Sequence, residues 1–204
     1  MSRIVGPVAP PVPVENTPLD RSQLAVLTEA ELDAVDDDGL GGNGEYQDLQ
    51  ACDIDDLREA VAVEAEALRR VKSAPDPARA EDAYKDGLPM DDERAALWHL
   101  DLGVGAACVA LVTLGAHPVL SCNGGEFGAA HAFPSPLIRL YLEDADPVRL
   151  LDLANRAGIG LGIWEGKIVM RADSTEAFHQ FGRLVLAASG TNPMSASGTG
   201  HPLD

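Results

Sequence analysis

The chain of 204 residues sets 15 Lys and Arg against 33 Asp and Glu, a formal net charge of −18, so within a Debye length of about 8 Å it repels phosphate backbones and nonspecific nucleic-acid binding is disfavoured. A hydrophobic share of 46% supports one core with appendages, and an aromatic share of 4% leaves that core to Ala, Val, Leu and Ile. Cys52, Cys108 and Cys122 form no CxxC pair and no even framework, which excludes a disulfide scaffold and fits a reducing, cytoplasmic setting.

The acidity is unevenly spread. Residues 1–95 hold 9 basic and 23 acidic side chains, a net of −14, whereas residues 96–204 hold 6 and 10, a net of −4. A basic partner protein is electrostatically the easier macromolecule to bind. Residues 1–18 have no apolar h-region of a signal peptide. The uncharged run 102–120 is interrupted by Gly115 and Pro118, leaving about 20 Å of helix against a hydrocarbon core of about 30 Å, so a buried helix is expected and no membrane span.

In chain order, residues 1–45 read as a disordered, Pro-rich and acidic N-terminal arm. Within it, Thr28 and Glu31 form a capping box for a short helix over 28–35, and Asp36, Asp37 and Asp38 lead into a glycine linker. Residues 46–90 read as a helix over 46–71, with Leu49, Leu57, Val61, Ala65 and Leu68 on one face, followed by a linker marked by Pro75, Pro77, Gly87 and Pro89. The core domain is expected over 91–188 and a disordered tail over 189–204.

Asp91, Asp92 and Glu93 open a helix that continues to about residue 114 and places Asp101, Gly105, Cys108 and Val112 on one face. Cys108 reads as a small core hydrophobe. Strands follow over 118–122 and 137–142, the second with Ile138, Leu140 and Leu142 opposite Arg139 and Tyr141. Asp146, Pro147 and Gly158 then bound a helix. A third strand alternates Ile159, Leu161 and Ile163 with Gly160, Gly162 and Trp164, so its glycine face either receives a close-packed helix or leaves a flat patch for a planar ligand. Glu165 and Gly166 turn the chain into a fourth strand over 168–172, and Asp173 with Glu176 caps a last helix that buries Phe178, Phe181 and Val185 and exposes His179.

The order α-β-β-α-β-β-α contains an αββ unit used twice, a circular permutation of the ferredoxin-like arrangement. The fold expected is α+β, a four-stranded antiparallel sheet with helices over one face and an acidic N-terminal arm.

The stretch Ser121, Cys122, Asn123, Gly124, Gly125 is the candidate site. Consecutive glycines after a strand permit positive φ, so backbone amides can converge on a carboxylate or phosphate. Cys122 is a candidate nucleophile with His131 as its base and Asp101 or Glu126 to orient the ring; His99 and His117 are further imidazoles, and the alternative is a structural cysteine. Cys122, Glu126, His131 and His117 lack the tight spacing of zinc ligands, and no metal site is assigned.

Several segments together resemble the wybutosine-synthesis family of tRNA methyltransferases: Asp101, Ser121 to Gly124, His131, the runs 136–141 and 157–163, and the run 169–174. The similarity covers roughly residues 92–175. It implies an α+β transferase that holds S-adenosylmethionine at Asp101 and the loop, with tRNA as substrate. The family places a basic residue directly after the loop glycine, and here Gly125 and Glu126 follow instead. The function expected is therefore a small-molecule or nucleotide site at residues 121–125. The competing class is a noncatalytic acidic protein that binds or neutralises a basic partner.

Overall fold

The computed structural model describes residues 19–33, 40, 48–87, 100–128 and 133–190. The Pro-rich start of the arm, the acidic triplet, the opening of the helix expected from residue 91, His99, His131 and the tail beyond residue 190 lie outside the described residues. Among the described residues a 3-10 turn, Arg21–Gln23, is followed by ten helices and strands in order: α1 Glu29–Asp33, α2 Ile54–Ser73, α3 Pro77–Asp86, α4 Gly105–Thr113, β1 His117–Cys122, β2 Leu137–Tyr141, α5 Pro147–Ala157, β3 Gly160–Trp164, β4 Lys167–Arg171 and α6 Thr175–Ser189.

The four strands form one antiparallel sheet in the order β1-β2-β4-β3. β2 and β3 both run antiparallel to β4, so they are parallel to each other and α5 is the crossover that such a pair requires. This is the strand order of a circularly permuted ferredoxin-like sheet. Ile138 and Leu140 of β2, Leu161 of β3 and Ile168 and Met170 of β4 face α4, α5 and α6, where Phe178, Phe181 and Val185 are completely buried. α2 packs outside α4 and α6, and α3 packs against α2.

Local chemistry sets several boundaries where the sequence placed them. The Asp146 carboxylate accepts the Val148 N–H at 2.9 Å and Pro147 opens α5, which Gly158 ends at φ 79°. Glu165 and Gly166 take φ of 51° and 74°, the two-residue turn whose twist matches an antiparallel hairpin. Thr28 and Glu31 close a reciprocal cap on α1.

Five expectations change. α2 begins at Ile54 rather than near 46, because Asp53 and Asp56 make a capping box there. Its buried stripe is Leu57, Ala60, Glu64, Ala67, Leu68 and Val71, which leaves Ala65 exposed. The linker expected over 75–90 holds α3, since Asp76 caps Arg79 and Pro77 sits at the first helical position, where proline costs nothing. Asp101 lies in the turn before α4 rather than on the helix. α6 is not capped by Asp173 with Glu176: Ser174 holds the N-cap position, and the carboxylate of Glu126 accepts the Thr175 N–H from across the fold.

Candidate functional site

β1 delivers Cys122 into a turn in which Gly124 and Gly125 have φ of 69° and 72°. A Cβ on Gly124 would lie 2.3 Å from the carbonyl carbon of Ser135, so the glycine is required both for the backbone angle and for this crossing. The three amides expected to cradle an anion already have acceptors within the chain. Asn123 N–H donates to Asp101 Oδ2 at 3.2 Å, Gly124 N–H to Cys122 Sγ at 3.3 Å, and Gly125 N–H to Asn123 Oδ1 at 3.0 Å.

The Asn123 side chain is completely buried. Its Nδ2 donates to Glu81 Oε1 at 2.6 Å and to the Leu102 carbonyl at 3.4 Å. Lys85 bridges the cluster, with its ammonium 2.8 Å from Asp101 Oδ1 and 3.7 Å from Glu81 Oε1. Burial works against that ammonium, yet the hydrogen bond and charge of Asp101, together with Glu81, outweigh it and hold the Lys85 pKa above its ordinary value. Asp101, Cys122, Asn123 and Gly124 thus lie together around the Glu81 carboxylate and the Lys85 ammonium, both supplied by α3.

Sequence reasoning missed Glu64 and Glu81. Glu64 is 6% exposed. Its Oε1 accepts the N–H groups of Gly103, Gly105 and Ala106 at 3.0, 2.9 and 3.4 Å. Its Oε2 meets His179 Nδ1 at 3.0 Å. One carboxylate therefore satisfies the otherwise open donors at the start of α4, where the helix dipole favours negative charge. His179 is buried by this pair, contrary to the exposed position expected for it. The available signal was the place of Glu64 in an apolar stripe of helical period, where a lone charge implies a buried partner.

The thiols are poor nucleophiles. Burial, with added repulsion from the Asp101 charge, raises the Cys122 pKa against the opposing pull of the Gly124 and Phe133 amides. Burial likewise raises Cys108 to about 12 and Cys52 to about 11. His117 begins the strand that Cys122 ends, roughly 16 Å along it at strand rise.

The sheet face turned away from the helices carries a different set of groups. Strand register places Leu120, Arg139, Val169 and Gly162 in one row and Cys122, Leu137, Arg171 and Gly160 in the next. The Arg139 guanidinium lies over the Trp164 ring at 4.8 Å, and the Lys167 ammonium over the Tyr141 ring at 4.7 Å. The buried Nε of Arg171 has no hydrogen-bond partner among the described residues. Three of the six basic residues after position 95 thus come from this face.

Family models, curated proteins and solved structures give no match to this chain. Among the described residues, no helix is long and apolar enough to cross a membrane.

Proposed function

We propose that the chain is a ligand-binding α+β domain that takes a nucleotide-type ligand, a planar group bearing anionic oxygens, on the outer face of its sheet. The observation that carries this reading is the stack of Arg139 on Trp164, with Lys167 and Arg171 on the same face of a chain whose net charge is −18. A face that gathers cations against the overall charge attracts an anion locally, and an aromatic ring beside a strand with glycines suits a planar group. The resemblance to tRNA methyltransferases fits this class of ligand, and S-adenosylmethionine, with its adenine and carboxylate, is the member it implies; the resemblance puts it at Asp101 and the loop 121–125, whose amides are occupied within the chain, and the reading here moves it to the sheet face. A transferase role belongs to the same reading, with the ligand as group donor; the raised thiol pKa values argue for binding rather than covalent catalysis by Cys122.

The test is thermal unfolding of the full chain with ATP, AMP and S-adenosylmethionine at millimolar concentration. A nucleotide present at a hundredfold excess over its dissociation constant stabilises by about 2.7 kcal/mol. Trp164→Ala and Arg139→Ala should remove that gain; a chain that none of the three stabilises, or variants that respond like the parent, would sink the reading. Polylysine in the same assay addresses the competing class, since a shift with the polycation alone favours an acidic interaction protein.

A further inference from the structure

Residues 19–33 lie along the end of this face where Tyr141, Lys167 and Trp164 stand. The Arg21 guanidinium donates to the carbonyls of Glu143 at 2.9 Å and Ala145 at 2.6 Å. Ala25 N–H donates to the Gly166 carbonyl at 2.8 Å, and Leu27 N–H to Glu143 Oε1 at 3.1 Å. The Tyr141 hydroxyl donates to Glu31 Oε1 at 2.7 Å. Leu27 packs with Leu40, Val119 and Tyr141 in a small apolar cluster separate from the main core.

Two features set this segment apart from the body of the fold. Its regular structure is a three-residue 3-10 turn and the five-residue α1, and although Leu19 and Leu24 rest on the main core none of residues 19–32 is fully buried, with Val26 74% and Leu32 46% exposed. Its charge is also opposite to that of the face. Residues 19–33 hold four acids against Arg21, a net of −3, while that face of β2 and β4 carries Lys167, Arg171 and the buried Arg139. The charge of Lys167 contributes to lowering the pKa of Glu31, after the larger effects of the Tyr141 and Thr28 hydrogen bonds.

We propose that residues 19–33 form a displaceable acidic strap, an intramolecular competitor that an anionic ligand must move aside to occupy the outer face of the sheet. This inference rests on the nucleotide reading for its competitor. It also assigns the N-terminal acidity a target within the chain itself. A ligand that binds only the open form has its apparent affinity reduced by the fraction open, so weakening the strap raises affinity without adding any contact.

The test compares the full chain with an Arg21→Ala, Glu31→Gln double variant, using ATP as the probe and amide hydrogen exchange over residues 19–33 as a second readout. The expected result is faster exchange at Ala25 and Leu27, no change at Leu140 in the core, and ATP binding tighter by about fivefold or more. Exchange at Ala25 and Leu27 as slow as at Leu140 in both proteins would overturn the strap. So would equal ATP affinity in spite of faster exchange. Should ATP bind neither protein, the nucleotide reading falls while exchange still decides the strap: selective loosening upholds it, and uniform protection overturns it.

Discussion

The side-chain amide of Asn123 donates to the carboxylate of Glu81 at 2.6 Å, with both residues completely buried. This contact ties the turn after β1 to α3 across 42 residues of sequence. Asn123→Ala takes a donor from a carboxylate that has no access to water, at an expected cost of about 2–4 kcal/mol in urea unfolding. A double-mutant cycle with Glu81→Ala should return a coupling above about 1 kcal/mol. Additive losses would mean the two side chains act independently.

Two glycines of similar backbone angle should respond differently to alanine. Gly124, at φ 69°, faces the Ser135 backbone, whereas Gly158, at φ 79°, has nothing within 4 Å of its would-be Cβ. Gly158→Ala is expected to cost about 1 kcal/mol of conformational strain, and Gly124→Ala more than about 3 kcal/mol as backbone must also move. Equal losses in thermal unfolding would contradict the crossing at Ser135.

A fragment of residues 91–188 should not fold cooperatively. It lacks Glu64, which accepts three N–H groups at the start of α4, and the apolar side of α2 that includes Leu57 and Ala60. Circular dichroism should show a broad, weak melt in place of the sigmoidal transition of the full chain. A sharp melt in the fragment would show that α2 and α3 are dispensable.

Burial lowers the pKa of His117, against the opposing charges of Asp48 and Glu143. The ring is therefore neutral in the folded protein at pH 7 and protonates more readily when unfolded. Stability is intact above the unfolded pKa of about 6.5 and is lost as pH falls from there toward the lower folded value, by no more than about 1.4 kcal/mol per pH unit. Denaturant titrations of the parent and His117→Gln should converge above pH 7 in slope, with the variant flatter below. Parallel curves would count against a buried neutral ring.

The cysteines should resist a thiol reagent in the native state. A pKa of about 11 for Cys52, against an ordinary 9.0, lowers its thiolate population about a hundredfold at neutral pH. Reaction with a chromogenic disulfide should be slow until denaturant is added and then complete at all three positions. One fast native thiol, mapped to Cys122, would revive the nucleophile.

The C-terminal half was legible because its signals are local. Asp146, Pro147 and Gly158 bound α5 within a dozen positions, and Glu165 with Gly166 dictates the hairpin by backbone angle alone. What escaped depends on distant partners. Glu64 and Glu81 went unnoticed because the groups that hold them in the interior lie 39 to 115 positions further on. α3 looked like a linker because proline marks both linkers and helix starts, and only the Asp76 bond to Arg79 distinguishes them. The loop after β1 has Asp101 at its side, but its backbone amides are taken by Asp101, by Cys122 Sγ and by an Asn123 side chain that the upstream carboxylate of Glu81 holds in place.

Those upstream carboxylates also bear on the order in which the molecule can assemble. Made from its N-terminus, the chain presents Glu64 in α2 well before Gly103, Gly105 and Ala106, and long before His179 completes the pair. Until then α2 has one charged side chain on the face it must later bury, and the helix has reason to stay in water. Loop closure between α2 and α6 is costly and late, so folding should be slow for a protein of this helix content, with commitment waiting on the final helix.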